Sequence, residues 1–348
     1  MKSKWKLRLN AAWLVPVLLC GNPAIARDIT GGASSPTTVP VYLDDTKPLE
    51  QRVEDALSRM TLQEKIRIIH AQSKFSSPGV PRLGIPEIWC TDGPHGVRPE
   101  VLWDEWEQAG WTNDSCTAFP SLTALAATWN PDMALLYGKS IGEEARFRNK
   151  SVLLGPGVNI YRTPLCGRNF EYMGEDPYLS SRMVVPYVRG VQSNGVATCV
   201  KHFALNNNEI NRHTSNPTVD DRTLYEIYLP AFKAAATEGN SWSFMGGYNL
   251  FRGEHASYNP ILMNQILKGE WNYDGAVISD WGAVHDTKTA VTGGLDMEFG
   301  SWNVECLRPL LFRQSLSGRH QERNIFRAGA RRQGAPRTET HVPHVDEP

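Results

Sequence analysis

The stretch Gly275-Ala276-Val277-Ile278-Ser279-Asp280-Trp281 is a short apolar run that ends on an acid and an indole, a pairing with chemical uses. Ala276 to Ile278 reads as a buried strand of a mostly parallel sheet, continuous in hydrophobicity, with glycine before it and a polar turn after it. Asp280 then sits where the strand emerges, and in α/β barrels the C-terminal ends of the strands are where chemistry is built. Trp281 adds a flat apolar face of the kind a sugar ring can lie against. From this stretch alone, the alternative is that Asp280 caps a following helix.

The same placement recurs along the chain. A strand expected over residues 85–90 runs into Thr91-Asp92-Gly93-Pro94-His95-Gly96-Val97-Arg98, which puts Asp92 at its end. Residues 166–177 form a polar loop with Arg168, Phe170 and three acids, Glu171, Glu175 and Asp176. A strand over 196–200 leads into Lys201-His202-Phe203, and one over 243–248 ends at Tyr248. If these strands share a barrel, Asp92, Arg168, Lys201, His202, Tyr248 and Asp280 come from one rim. Such a ring suits a neutral polyol, because hydroxyls donate to carboxylates and accept from cations. Trp281, with Phe170 as a second face, would stack on a sugar. Asp280, with an ordinary pKa near ~3.9, is expected to be ionised and to be kept so by Lys201 and Arg168. It is then a nucleophile for an anomeric carbon, and a retaining glycosidase needs a second, protonated carboxyl about 5–5.5 Å away.

The elements that would hold this rim are legible from periodicity. Residues 49–72 carry Val53, Leu57, Met60, Ile66 and Ile69 at helical spacings, and Thr61 with Glu64 makes a capping box, so two helices should meet at Met60 and Thr61. Asn130-Pro131 opens a helix, as does Asn259-Pro260 for residues 261–268, and Asp220 or Asp221 caps a helix over 222–238. Strand-like pieces at 152–154 and 158–161 flank Gly155-Pro156-Gly157. This recurring strand, polar tip and helix predicts an α/β fold, specifically a (β/α)8 TIM-like barrel. There is no tandem repeat, and Gly155-Pro156-Gly157 lacks the lysine and helix of a phosphate loop.

The chain has 348 residues, 41% of them hydrophobic, with a formal net charge of −1. That balance hides a basic N-terminus, a basic C-terminal stretch and a net negative body, which argues against a nucleic-acid or anionic-membrane partner for the folded part. Lys2, Lys4, Lys6 and Arg8 precede the apolar run from Ala11 to Leu19, and Ala24-Ile25-Ala26 offers a cleavage site. Residues 1–26 are therefore expected to be a bacterial secretory signal, 27–48 a leader, and the mature protein secreted or periplasmic, with no membrane association after cleavage. Cys90, Cys116, Cys166, Cys199 and Cys306 remain, an odd number without a CxxC pair, so buried thiols with at most one or two bridges are expected. No metal or cofactor is implied.

The motifs TDGPHGVR at 91–98, GRNFEYMGEDP at 167–177, KHFALNNNE at 201–209, MGGYN around Tyr248 and ISDW at 278–281 resemble family 3 glycoside hydrolases, the β-glucosidase group, over residues 49–301. The resemblance implies a retaining mechanism with Asp280 as nucleophile and with Asp92, Arg168, Lys201, His202 and Tyr248 lining the subsite of the non-reducing sugar. It favours a β-glucoside over a β-xyloside, whose relatives carry glutamate at Asp92, and the histidine-bearing loop of the N-acetylhexosaminidase relatives is not found. In similar proteins the acid/base glutamate comes from a second domain and the 166–177 loop is structural. No such domain is recognisable from Trp302 on, where the sequence turns rich in arginine with no lysine, of a composition that out-of-frame translation gives. A disordered basic tail and a terminal helix over 310–326 are the alternatives. The barrel is accordingly expected to be incomplete at its C-terminal end, and the chain either slow on alkyl glycosides or a non-catalytic sugar-binding barrel.

Overall fold

The computed structural model describes residues 39–111 and 114–300. The expectations for the signal segment, the first part of the leader and the Arg-rich tail, including Cys306, lie outside the described residues. The first helices are α1 (Leu49–Arg59) and α2 (Leu62–Ile68). They meet at an extended Met60, and the reciprocal Thr61 and Glu64 bonds of the capping box satisfy the first amides of α2. The next elements are β1 (Ser76–Ser77), β2 (Ile88–Asp92), α3 (Leu122–Ala126), α4 (Pro131–Phe147), β3 (Val152–Leu154), α5 (Pro177–Gln192) and β4 (Ala197–Phe203). After α6 (Asp221–Thr223) and α7 (Pro230–Thr237) come β5 (Ser243–Gly246), the small hairpin β6 (Leu250–Phe251) and β7 (Glu254–His255), then β8 (Ala276–Ile278) and α8 (Thr287–Gly293).

One sheet runs β1-β2-β3-β4-β5-β8, parallel from β2 onward, with β1 antiparallel at the edge. Its ends curl toward each other. Ile278 bridges Met297, His70 bridges Glu298, the Glu298 amide donates to Ile69 O at 3.0 Å, and Ala71 N donates to Glu298 O at 2.9 Å. The result is an incomplete α/β barrel of the TIM type, closed on that side by short extended pieces and single bridges instead of full strands.

Alternation along the strands sorts the core into two layers. Leu153, Val200, Phe244 and Val277 face outward into a cluster with Ile141 of α4, Val184 and Val188 of α5 and Phe232 of α7. Val152, Leu154, Cys199, Met245 and Ile278 face inward, where Val53, Ala56 and Leu57 of α1 join them. Strands buried on both faces explain the continuous hydrophobic runs.

Several boundaries differ from expectation. The strand expected at 85–90 is displaced to Ile88–Asp92, because Val80 and Ile85 pair with each other in a turn. Residues 158–161 form no strand, only isolated bridges of Gly157 to Lys201 and Ile160 to Gly174. The helix expected over 222–238 is split by a π-helical turn at Leu224–Tyr228 just before Pro230, which has no amide to continue the ladder. The helix after Asn259-Pro260 is π-helical over Ile261–Glu270, with the Asn259 side chain accepting from Ile261 N and Leu262 N. Asp280 caps no helix, since α8 is capped by Asp286 through Thr289 N. Cys90, Cys116, Cys166 and Cys199 are free thiols. Among the described residues no helix is long and apolar enough to cross a membrane, and no three His, Cys, Asp or Glu side chains are grouped to hold a metal.

The strand that carries Asp280 is fixed from behind. Asp296 accepts from Val277 N at 2.8 Å and receives Lys268 Nζ at 2.9 Å on both oxygens, with the Asp296 side chain fully buried. Asp296→Ala would leave the Lys268 ammonium and a strand amide without this partner, and is expected to destabilise the protein by about 3–5 kcal/mol in urea denaturation.

Candidate active site

The rim residues converge on one cavity of about 180 Å³, room for about six waters' worth of ligand. Asp92, Arg168, Lys201, Tyr248, Asp280 and Trp281 all line it. Asp92 ends β2 and is turned inward by Gly93, whose φ of 112° and whose missing Cβ, which would lie 1.8 Å from Gly96 O, admit only glycine. Lys201, on β4, reaches Asp92 Oδ1 at 3.3 Å and Glu171 Oε2 at 3.6 Å. Arg168 forms a bidentate pair with Glu171 at 3.0 and 2.9 Å. Tyr248 donates to Trp281 O at 3.0 Å, and the Trp281 indole is held by Lys74 O at 2.7 Å and packed on Phe75 and Phe299.

His202 is placed differently from expectation. It is fully buried and does not line the cavity; it stands behind it, with its peptide held by Asn159 through bonds of 2.6 and 2.9 Å. Such burial is tolerable because both ring nitrogens have partners, Arg168 Nη2 at 2.8 Å from Nε2 and Tyr172 Oη at 3.1 Å from Nδ1. Phe170 is half-exposed, set edge-on against His95, and also lies outside the cavity lining. Glu171, Arg212, Phe75 and Trp106 line the cavity without having been singled out for it. Glu171 carried a signal, three residues after Arg168 in one turn; Arg212, in an asparagine-rich loop, carried none.

The electrostatics follow from burial set against charge. Burial disfavours ionised Asp92 and Glu171, but Lys201 next to both, aided by Arg98 at Asp92 and Arg168 at Glu171, more than offsets it, and both pKa values fall. Burial likewise opposes the Lys201 charge, and Asp92 and Glu171 restore it, leaving its pKa raised. Burial, then Arg168, Lys201 and Arg212, hold His202 well below the usual histidine range, so its ring is neutral.

A neutral imidazole has one N–H and one lone pair. The Arg168 guanidinium can only donate, so Nε2 is the acceptor and Nδ1 carries the proton toward Tyr172. Nothing is left to donate to Asp280 Oδ2, 3.6 Å from Nε2. Oδ1 accepts from Trp281 N at 2.8 Å, while Oδ2 is buried with no hydrogen-bond partner among the described residues. For this carboxyl, burial outweighs Arg168, Lys201, the Trp281 amide and Tyr248, and its pKa is raised. The two cations do not hold it low, contrary to the expectation from sequence.

Residues 58–298 match the model of the glycosyl hydrolase family 3 N-terminal domain. The chain belongs to glycosyl hydrolase family 3. It is 67% identical over 263 residues to beta-glucosidase BoGH3A of Bacteroides ovatus, covering 76% of this chain and 35% of that protein. It is 45% identical over 247 residues to thermostable beta-glucosidase B of Acetivibrio thermocellus, covering 71% of this chain and 32% of that one. Among solved structures, beta-glucosidase from Kluyveromyces marxianus in complex with glucose is similar with a TM-score of 0.75 at 34% identity, covering 81% of this chain and 34% of that one. The chain thus spans about a third of the length of the curated relatives it matches. Within this family 3 domain the cavity brings together cations, two ionised acids and the Asp280 carboxyl.

An acid whose pKa is raised on folding stays protonated in the folded state while the unfolded chain ionises. Between the two pKa values the folded state binds more protons, so stability falls as pH rises through that window. Asp280→Asn removes this cost. Its urea midpoint is expected to exceed that of the wild type at pH 7, with the difference closing below about pH 4, the ordinary aspartate range.

Proposed function

We propose that this chain supplies the glycone site and the nucleophile of a retaining β-glucosidase, acting on terminal non-reducing β-D-glucosyl residues. The carrying observation is the Asp280 carboxyl, whose residue lines a cavity scaled to one sugar ring together with Arg168, Lys201 and Tyr248. In this reading Asp92, Arg168, Lys201 and Tyr248 bind the hydroxyls, Trp281 meets the apolar face, and His202 is a positioning residue that holds Arg168. The Asp280 carboxylate forms a bond to C1 as the bond from C1 to the leaving oxygen breaks, its electron pair departing with that oxygen. Water then cleaves the glycosyl ester. The relatives named beta-glucosidase support this substrate class.

Protonation of the leaving oxygen needs a neutral acid. Asp92 and Glu171, the other carboxyls that line the cavity among the described residues, are both held low and are ionised at neutral pH. This favours substrates whose leaving group needs no proton, and it is the observation that supports a sugar-binding role as the second reading. With a dinitrophenyl 2-fluoroglucoside, intact mass is expected to show one added glycosyl group, on the Asp280 peptide and absent in Asp280→Asn. Alkyl glucosides should react more slowly by roughly 10²–10⁴. The labelling rate should fall as pH drops through the raised Asp280 pKa, above the ordinary carboxylate range, since protonation removes the nucleophile. A label on another residue, or an equal label in the Asn variant, would remove Asp280 from the role.

The basic and apolar pattern of residues 1–26 supports export to the periplasm or beyond. Expression in a bacterial host should then yield a mature protein beginning at Arg27, read by N-terminal mass spectrometry; an intact Met1 in the exported fraction would count against it.

A further inference from the structure

The loop that follows β4 brings to the cavity one cation whose support lies outside it. Arg212 lines the cavity, while Glu209, three residues earlier in the same loop, does not. Glu209 Oε2 holds Arg212 Nη1 at 2.8 Å, both side chains being partly exposed. Its other oxygen, Oε1, lies 4.0 Å from Arg168 Nη1, the terminal nitrogen of Arg168 that Glu171 and His202 leave over. One carboxylate thus stands between two guanidinium groups that would repel each other in its absence. The loop is anchored beyond this point, where Leu250 N donates to Ser215 O at 2.8 Å and Gly253 N to Asn216 Oδ1 at 3.3 Å.

The Arg212 guanidinium rests over the face of Tyr248 at 4.1 Å, and His213 meets the same ring edge-on at 4.6 Å. Tyr248 is buried, its hydroxyl donates to Trp281 O at 3.0 Å, and it supports the ionised form of Asp280. A cation–π contact at a partly exposed site is weaker than the rotamer freedom that an arginine regains when released. Stacking alone would therefore not keep Arg212 in place. The ion pair with Glu209 makes up the difference, and at 2.8 Å it is the shorter and stronger of the two contacts between Glu209 and the cavity's arginines.

We infer that Glu209 is a positioning residue for the reaction: it fixes Arg212 on the Tyr248 ring and so holds the Tyr248 hydroxyl beside the Asp280 nucleophile. This rests on the reading above, in which Asp280 attacks C1. Glutamine at this position keeps the shape and removes the charge. Arg212 is then free to leave the ring, Tyr248 is held by His213 alone on that side, and the developing bond to C1 loses the support of a fixed hydroxyl. The alternative is an ion pair that only ties the loop to itself. Such a pair would act on the reaction independently of the Tyr248 hydroxyl.

A double-mutant cycle on the full chain separates the two. The rate at which the dinitrophenyl 2-fluoroglucoside labels Asp280, followed by intact mass, is compared for the parent, Glu209→Gln, Tyr248→Phe and the double variant. Glu209→Gln is expected to slow labelling about tenfold in the parent, the scale of one interaction lost at the transition state. In the Tyr248→Phe background it should slow labelling by no more than about twofold. The urea midpoint of each variant checks that the fold is kept. Where Glu209→Gln loses it, Glu209→Asp, which keeps the charge and shortens its reach, takes its place with the same expectation. A slowing as large without the Tyr248 hydroxyl as with it, or no slowing in either background, overturns the positioning role and leaves the proposed function standing. A parent that takes no label on Asp280 removes both.

Discussion

The hydrogen bond from Arg168 to His202 Nε2, 2.8 Å long, is the contact on which the site depends. Because it uses the one lone pair of a neutral ring, it decides the tautomer, sends the remaining proton to Tyr172 and leaves the imidazole no proton to donate to Asp280 Oδ2. A buried carboxylate oxygen without a partner is costly. The fold maintains it by surrounding Asp280 with cations that are themselves neutralised elsewhere, Arg168 by Glu171 and Lys201 by Asp92 and Glu171. In the proposed mechanism the Asp280 carboxyl is the group that meets C1 of the sugar.

The barrel holds this arrangement in place. Alternate strands of the parallel sheet, β2, β4 and β8, deliver Asp92, Lys201 and Asp280 to the same cavity, and the two-layer core leaves those strands little freedom to slide, since a one-residue slip would exchange inner for outer side chains. The closing side is made of single bridges around Glu298 instead of a long ladder, so β8 relies on the Lys268 and Asp296 pair behind it. The ionic interactions thus fall into two kinds: Lys268 with Asp296 positions a strand, while Arg168, Glu171 and Lys201 set the charge state of a cavity.

Much of this was legible in the sequence because it rests on local signals. The capping box at Thr61, the Asn130-Pro131 helix start and the apolar run ending at Asp280 each depend on residues within a few positions, and each is found where expected. What was not legible depends on tertiary burial. The pKa of Asp280 moved up because desolvation outweighs two nearby cations, and no spacing reports desolvation. His202 reads as a cavity residue beside Lys201, yet partners from two other segments, Arg168 with Tyr172 and Asn159, draw it behind the wall. The split at Leu224–Tyr228 and the shift of the strand expected at 85–90 reflect a proline and a local turn whose reach along the chain periodicity does not give.

The most direct measurement of the central claim is a crystal structure of this chain with glucose bound. The account predicts C1 within about 3.5 Å of Asp280 Oδ2, a near-attack distance, with the sugar hydroxyls on Asp92, Lys201 and Arg168 and with Arg168 still donating to His202. A glucose bound with C1 turned away from Asp280, or an Asp280 Oδ2 found hydrogen-bonded to a protonated His202, would contradict it.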